Sequence, residues 1–240
     1  MAGKVLVAGQ KVVKPGTLVQ RDAAIELLGQ EHPYVSRGGV KLAGALRAFG
    51  PERAGEPQLS VAGRVAIDVG ASTGGFSDCL LQHGATRVHA VDVGYGQLAW
   101  KLASDPRVVV HDRQNIRKMS AEALGEKVDL AVIDCSFIAL AKVLPHVVRF
   151  LESPADIVAL VKPQFELDPD RIGKGGIVRD DEDRREALAR VESTAASLGM
   201  EVLDRCPSPI PGREGNLEYL VWLRWIAGEH AEATWATPAG

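Results

Sequence analysis

Four charged residues of this sequence stand at or near the ends of apolar runs, where β-strands are expected to end. Asp68 lies in the run 65–69, and Asp92, Asp134 and Lys162 each close a later run. In a parallel sheet the ligand crevice lies at the carboxyl ends of the strands, so these side chains should meet there. Ionisable groups that gather in a cleft are typical of catalytic centres. Taken singly, each charge would more simply end its strand and reach water.

A proline and a late acidic residue sharpen this prediction. Pro163 cannot donate a hydrogen bond within a sheet and keeps the preceding residue extended, so the strand should end at Lys162. Glu218 stands at the start of the last apolar run, and an acid among apolar strand residues is uncommon without a partner. If that last strand is antiparallel, it begins at the same edge of the sheet. We therefore predict a catalytic cluster of Asp134, Lys162 and Glu218.

The segment 68–76, Asp-Val-Gly-Ala-Ser-Thr-Gly-Gly-Phe, predicts a nucleotide-type pocket. Its glycines allow a sharp turn and a close approach to a ligand, and the helix that follows offers unpaired N–H groups. Asp92 ends the next apolar run roughly 20 residues later, where doubly wound folds place the carboxylate that holds ribose hydroxyls. Without Asp92 the glycine-rich turn alone would be a weak signal, because many strand-to-helix turns hold no ligand.

The elements that must position these residues alternate regularly along the chain, which predicts an α/β fold with a mainly parallel, doubly wound sheet. The proline-rich loop 207–212, rather than a helix, joins the last two strands, so the final strand should turn back antiparallel. That ending favours a Rossmann-like class I S-adenosylmethionine-dependent methyltransferase over a dinucleotide-dependent dehydrogenase. The predicted strands are 65–69, 87–92, 107–111, 128–134, 156–162, 200–205 and 218–225, and the predicted helices are 74–83, 96–104, 137–152 and 181–198.

The front of the chain is basic and has its own pattern. Residues 3–28 alternate short β-type runs with turn residues and predict a small β-hairpin unit. A helix is predicted from about Ser36, with Lys41 in its first turns, where a lysine opposes the helix dipole. The first fifty residues hold seven Lys or Arg against three Asp or Glu. This excess suits a polyanionic partner such as RNA, although a solvated basic surface would look similar.

Composition excludes several other classes of protein. The 240 residues are 46% hydrophobic and 25% charged, as in an ordinary soluble domain. No apolar stretch is as long as a membrane span and no signal region is visible, so we expect a cytoplasmic protein that does not enter membranes. Three scattered cysteines suggest no disulfide framework, and the six histidines lack metal-ligand spacing, so no metal is expected. The tail 227–240 lacks periodicity and is predicted to be disordered.

These motifs resemble those of the TlyA family of ribosomal-RNA 2′-O-methyltransferases, which have an FtsJ-like catalytic domain and whose members are also called hemolysin A. The matching segments span nearly the whole chain: 34–42 (YVSRGGVKL), 68–76 (DVGASTGGF), 91–98 (VDVGYGQL), 134–138 (DCSFI), 161–166 (VKPQFE), 173–176 (GKGG) and 215–219 (GNLEY). The resemblance implies S-adenosylmethionine as cofactor and ribosomal RNA or ribosomal subunits as substrate, with methylation of cytidine in 16S or 23S RNA.

The resemblance also assigns site residues. The family's Lys-Asp-Lys-Glu catalytic tetrad falls on Lys41, Asp134, Lys162 and Glu218, and Lys41 comes from the resemblance alone. Cofactor binding is expected in the turn after the first strand, at the next strand end and in the stretch 112–115: Asp68, Gly70, Ser72, Thr73, Gly74, Gly75, Phe76, Asp92, Asp112 and Asn115. RNA contacts are expected at Arg37, Lys174 and Asn216. The implied domains are 1–28, 29–226 and the tail 227–240.

This sequence departs from the family pattern in two places. Family members begin with two helices of a small RNA-binding domain, the type named after a small-subunit ribosomal protein, but residues 1–28 match only its closing β part. Either the start lies upstream or that half is absent. In addition, Asp112-Arg113-Gln114-Asn115 replaces the family's Glu-Arg-Thr-Asn, which changes the expected adenine contacts.

For the mechanism, Lys162 is the candidate base that takes the proton of the ribose hydroxyl. A lysine can do so only when neutral, a form that a nearby Lys41 favours and that Asp134 and Glu218 oppose, and the sequence leaves this balance open. Three alternatives remain at this point: a membrane-active hemolysin, a non-catalytic RNA-binding protein that keeps the fold, and a nicotinamide-dependent dehydrogenase. The sequence does not predict the oligomeric state.

Overall fold

The computed structural model describes residues 5–14, 16–27, 32–212 and 214–228, and the chain divides into two compact units, Met1–Pro33 and Tyr34–Gly240. In the first unit, β1 (Val5–Val7) lies between β2 (Gln10–Val12) and β3 (Ile25–Leu27) in an antiparallel sheet. The predicted hairpin is thus part of a three-stranded sheet. Ala8 and Gly9 both have positive φ in the β1–β2 turn, as a tight hairpin requires.

The second unit is built on a seven-stranded sheet in the order β6-β5-β4-β7-β8-β10-β9. Strands β4 to β8 run parallel, whereas β10 is antiparallel to both of its neighbours, β8 and β9. This confirms the predicted doubly wound α/β fold with an antiparallel last strand. The strands are β4 (Val65–Val69), β5 (Arg87–Val91), β6 (Val108–His111), β7 (Val128–Ile133), β8 (Leu151–Val161), β9 (Met200–Pro207) and β10 (Tyr219–Trp225).

The helices are α1 (Arg37–Phe49), α2 (Gly75–Gln82), α3 (Trp100–Ala103), α4 (Leu144–Val147), α5 (Pro163–Glu166) and α6 (Asp181–Ser197). Two predicted helices were wrong in extent. The predicted helix 96–104 is reduced to α3, because Gly96 has φ +62° and stays outside the helix. The predicted helix 137–152 is broken into α4 and two 3₁₀ turns, Leu140–Lys142 and Val148–Phe150, and its end belongs to β8.

Two apolar cores cover the two faces of the large sheet. Because side chains alternate along a strand, Ile67 of β4 points into one core and Ala66 points into the other. The first core packs beneath α4 and α6. The second packs beneath α1 and α2, where Phe49 stacks on Trp222 with ring centroids 5.8 Å apart. The two cores pack against both faces of the strands β4, β5, β7 and β8. They therefore fix the edge at which these strands end, and with it the side chains at that edge.

The sequence predictions for the chain ends fall largely outside the described residues. Of the predicted disordered tail, 229–240 lies outside them, and so do residues 1–4, 15 and 28 of the predicted 1–28 module. Among the described residues, no helix has both the length and the apolar character needed to cross a membrane. In the same part of the chain, no group of three or more His, Cys, Asp or Glu side chains is arranged to hold a metal ion.

Candidate active site

The predicted charged residues lie along one edge of the large sheet. Asp92 follows β5, Asp134 follows β7, Lys162 follows β8 and Glu218 immediately precedes β10. The three parallel strands end at this edge, and β10 begins there because Tyr219 pairs with Val161. The chain crosses from one side of β4 to the other after β6, so the edge includes a topological switch point, where such folds bind ligands.

Lys162 is the most enclosed cation of this edge. Its side chain is 9% exposed, and its ammonium nitrogen Nζ lies 2.6 Å from Asp134 Oδ1 and donates a hydrogen bond of 2.9 Å to Ser136 Oγ. The contact with Asp134 is an ion pair, and Asp134 Oδ1 accepts no hydrogen bond from the described residues. Lys162 therefore has one hydrogen-bond partner, Ser136, and one ionic partner, Asp134, and both come from the loop after β7.

A second ion pair joins α1 to the start of β10. Lys41 Nζ lies 2.5 Å from Glu218 Oε2, and both side chains are nearly buried. A Cβ atom at Gly212 would lie 2.5 Å from Glu218 Oε1, so the loop before β10 packs directly on this carboxylate. The structure thus brings all four residues of the implied tetrad to one edge, as two ion pairs, although 177 positions separate Lys41 from Glu218.

Asp68 differs from the other carboxylates because it is completely buried within β4. Its Oδ2 accepts hydrogen bonds from the backbone N–H and the hydroxyl of Ser77, at 2.9 and 2.6 Å. Its Oδ1 is buried and has no hydrogen-bond partner among the described residues. Burial raises the pKa of Asp68 to about 7, the bonds from Ser77 act to lower it, and the negative charges of Asp134 and Asp92 raise it further. A cationic ligand would complete this site.

A cleft with two lobes opens at this edge, and Gly70, Ser72, Asp134 and Ser136 border both lobes. We call the first the lysine lobe, because Lys41 and Lys162 line it; its volume is about 420 Å³. We call the second the Asp92 lobe; its volume is about 480 Å³. Predicted site residues that line the lysine lobe are Arg37, Lys41, Asp68, Gly70, Ser72, Thr73, Gly75, Phe76, Asp134 and Lys162.

The turn between β4 and α2 needs glycine at two positions. Gly70 has φ +88°, and a Cβ there would lie 2.6 Å from the backbone oxygen of Asp134. A Cβ at Gly75 would lie 2.3 Å from Ser36 Oγ, so a side chain at this position would prevent the close contact between α2 and the start of α1. Gly74 does not line the cleft; it precedes α2 with φ +94° and packs against Leu102 of α3. Gly74 therefore has a packing role, and its contact with the cofactor stays a prediction.

Asp92 is held in place by the loops on either side of it. Its Oδ2 accepts a hydrogen bond of 2.8 Å from the N–H of Ser72, and its Oδ1 accepts one of 2.7 Å from Gly94. Asn115 lines the same lobe. Asp112, predicted as a third contact, lies outside the cleft residues and accepts a hydrogen bond of 2.9 Å from the N–H of Gly96. Asp112 therefore shapes the loop rather than facing the lobe.

The three predicted RNA contacts lie in different surroundings. Arg37 borders the lysine lobe and donates a hydrogen bond of 2.9 Å to the carbonyl of Pro211. Lys174 is exposed in the turn 173–176. Asn216 is 1% exposed, and its amide bonds to Val178 N–H and Gly176 C=O at 2.9 and 2.8 Å. The expectation for Asn216 is corrected: it fastens the loop that carries Lys174 and has no free surface for RNA.

Sequence reasoning missed several residues of the cleft. Ser136 contacts Lys162, and its place two residues after Asp134 could have suggested this. Phe137 is 89% exposed, lines the Asp92 lobe and has φ +62°, a strained value for an aromatic residue. Cys135 also lines this lobe, but burial raises the pKa of its thiol to about 12, so it is neutral and unsuited to act as a nucleophile.

Comparison with known proteins agrees with this geometry. Residues 34–225 match the model of a family described as FtsJ-like methyltransferase. The 16S/23S rRNA (cytidine-2′-O)-methyltransferase TlyA of Mycobacterium tuberculosis is 49% identical over 224 residues, which are 93% of this chain and 81% of that protein.

Two solved structures extend the comparison. The structure of a Streptococcus thermophilus protein titled a hemolysin matches with a TM-score of 0.79 and 40% identity. The match covers 95% of this chain and 81% of that chain. The structure of a Listeria monocytogenes protein titled an S-adenosylmethionine-dependent methyltransferase shares the fold, with a TM-score of 0.54 and 14% identity. The match covers 80% of this chain and 100% of that chain.

Proposed function

Because this chain belongs to the FtsJ-like methyltransferase family, we propose that it transfers a methyl group from S-adenosylmethionine to a ribose 2′-hydroxyl of ribosomal RNA. The observation that carries the proposal is the joint presence of two ion pairs, Lys162–Asp134 and Lys41–Glu218, at the cleft edge. The relative from M. tuberculosis is named for cytidine in 16S and 23S RNA, and we propose the same nucleotide class and a cytoplasmic site of action.

The buried oxygen Oδ1 of Asp68 supports S-adenosylmethionine as the cofactor. Within the part of the chain that the structure describes this oxygen has no hydrogen-bond partner, and its residue lines the lysine lobe, so it suits the ammonium group of the cofactor's methionine part. Asp92 is suited to the ribose hydroxyls, because Ser72 and Gly94 already orient its carboxylate at the border of the second lobe. The cofactor supplies a methyl group on a positively charged sulfur, which is a good leaving group.

The remaining requirement is to align the RNA hydroxyl and remove its proton. We propose that Lys162 accepts this proton when neutral. Its side chain is nearly buried, and it lines the same lobe as Lys41, where the RNA hydroxyl would have to lie. Once the proton has moved, the resulting ammonium faces Asp134 at 2.6 Å, which stabilises it as the carboxylate of a catalytic triad stabilises its imidazolium.

Lys41 and Glu218 are proposed to border the position of the RNA ribose. Lys41 lines the lobe, its ion-pair partner Glu218 is buried at the start of β10, and the pair anchors α1 there. Arg37 on the same helix and the exposed Lys174 are proposed to contact RNA phosphates, which bind basic side chains regardless of base sequence.

Single-turnover methyl transfer to ribosomal subunits, with saturating labelled cofactor, tests the base role. Lys162→Met keeps an apolar stem and removes the proton acceptor, so we expect a rate loss of about 10²–10⁴ with nearly unchanged cofactor affinity. Lys162→Arg should be almost as harmful, because a guanidinium stays protonated. Full activity of the Arg variant would exclude Lys162 as the base.

The same assay separates the alternative that this is a non-catalytic RNA-binding protein. Such a protein would bind cofactor and RNA in calorimetry but would transfer no methyl group in either the parental or the variant form. A membrane-active hemolysin would instead release dye from liposomes in the absence of cofactor. Cofactor-dependent label in RNA that disappears with Lys162→Met is the result that our proposal requires.

A further inference from the structure

Glu166 is a buried carboxylate that the proposed chemistry does not use. It is the last residue of α5, four positions after Lys162, and it is 9% exposed. Burial raises its pKa to about 7, while a hydrogen bond from Leu140 and the charge of Arg190 act to lower it. Burying an ionisable side chain costs free energy, so its position calls for a compensating interaction.

The compensating interaction crosses between the two loops of the candidate active site. Glu166 Oε1 accepts a hydrogen bond of 3.0 Å from the backbone N–H of Leu140, and both groups are buried. Leu140 begins the 3₁₀ turn that follows the loop 134–139, while Glu166 ends the segment that begins with Lys162. The same two segments also make contact through Phe137 and Phe165, whose ring centroids lie 5.2 Å apart.

Helix α6 holds the Glu166 side of this contact in place. Arg190 donates a hydrogen bond of 3.2 Å to the carbonyl oxygen of Glu166, and its guanidinium also bonds to Asp168 and Glu186. The segment that carries Lys162 is therefore fixed to a long helix, and the loop that carries Asp134 is fixed to that segment. Phe137, with φ +62°, keeps a strained backbone in this loop, and such strain persists only where surrounding contacts determine the conformation.

We propose that Glu166 is a positioning residue, which clamps the Asp134 loop to the Lys162 segment through the Leu140 N–H and thereby sets the Asp134–Lys162 contact. Without the clamp, Leu140 N–H would lose its buried acceptor, and the loop that carries Asp134 and Ser136 would shift relative to Lys162. A displacement of about 1 Å among groups that must align can cost roughly 100-fold in rate. The inference rests on the proposed methyl transfer for its kinetic consequence, but the clamp itself is independent of that activity.

The clamp is tested first without any activity measurement. Hydrogen exchange should show that the Leu140 amide is protected in the parental chain and in Glu166→Gln, whose amide oxygen can still accept the bond. Protection should fall at least tenfold in Glu166→Leu. Equal protection of this amide in Glu166→Leu and in the parental chain would overturn the inference, whatever the activity of the protein.

Single-turnover methyl transfer then tests the positioning role. We expect Glu166→Leu to lose about 10- to 100-fold in rate at saturating cofactor and RNA, with cofactor affinity unchanged within about twofold, and Glu166→Gln to stay within about threefold of the parental rate. Met200→Ala is the matched control, since it removes buried side-chain volume at the far end of β9, where Met200 pairs with Trp225. It should lower the melting temperature without this rate loss.

A double-mutant comparison distinguishes positioning from general weakening of the fold. If Glu166 acts through Asp134, then adding Glu166→Leu to Asp134→Asn should cost less than about threefold further rate, because the contact it sets is already lost. A full additional loss in that background would contradict the inference. If the parental chain transfers no methyl group, the proposed function fails, and the exchange of the Leu140 amide still decides whether the clamp exists.

Discussion

Lowering the pH should weaken binding of S-adenosylmethionine, because Asp68 must be ionised to pair with the ammonium group of the cofactor. In the free protein, burial raises the pKa of Asp68 to about 7, from an ordinary value near 4. The ordinary value describes the unfolded chain, so ionising this group opposes folding. The free protein should therefore gain stability from Asp68 as the pH falls from about 7 towards 4, while its cofactor affinity falls.

The magnitude follows from the ionised fraction of Asp68. With a pKa near 7, this fraction falls from roughly three quarters at pH 7.5 to a few per cent at pH 5.5, so the affinity should drop about 20-fold, or about 2 kcal/mol. The interval lies below the pKa of a free α-amino group, about 7.7–8.0, so the amino group of the cofactor is mainly protonated throughout. Calorimetric titration at these two pH values measures the effect directly.

The matched control is Asp68→Asn, which keeps the shape of the side chain and removes its ionisation. This variant should bind the cofactor weakly at pH 7.5 and should show little further change at pH 5.5. A parental affinity that is equal at the two pH values would refute the assignment of Asp68 to the ammonium group. An equally steep loss in Asp68→Asn would assign the pH dependence to another residue.

Three further perturbations test other parts of the site. Asp92→Ala should weaken cofactor binding by about 1–3 kcal/mol in calorimetry, since it leaves hydrogen-bonding groups of the ribose and of the Ser72 and Gly94 backbone unpaired; unchanged affinity would exclude the ribose assignment. Asn216→Ala should accelerate tryptic cleavage after Lys174, because two bonds that fasten that loop are lost; an unchanged cleavage rate would contradict this role. Glu218→Gln should lower both the melting temperature and the methyl-transfer rate, because it leaves Lys41 without its buried counter-ion.

Much of the fold could be predicted because its strands are short apolar runs with clear ends. Pro163 marked the end of β8 within one residue, and the proline-rich loop after β9 indicated the antiparallel β10. The predicted helix 137–152 failed because its apolar spacing is also that of successive single turns packed on the core. Pro145 lacks the N–H that a continuous helix would need at that position, so the chain breaks into short pieces.

The site was predictable to the extent that its residues stand at strand ends. Asp92, Asp134, Lys162 and Glu218 follow from that rule, whereas Lys41 does not, because its partner lies 177 positions away and only the family resemblance indicated it. The contacts of Ser136 and Glu166 join loops that are 26 positions apart, and no local pattern encodes such contacts.

Two other residues show what local reasoning misses at the site. The family resemblance predicts that Asn216 touches RNA, but its burial and its two loop contacts are tertiary facts. Asp112 was expected to touch the cofactor for its position in a motif, yet its carboxylate is used to hold Gly96. In both cases the polar residue is recognisable from the sequence, but the partner that decides its role is not.

The central claim is that this chain methylates a ribose 2′-hydroxyl in ribosomal RNA. The most direct measurement is mass-spectrometric mapping of ribosomal RNA after incubation of ribosomal subunits with the purified chain and S-adenosylmethionine, with Lys162→Met as the matched control. Our account predicts a new 2′-O-methylated cytidine with the parental chain and none with the variant. Unmodified ribose throughout the RNA, while calorimetry shows that the chain binds both cofactor and subunits, would contradict it.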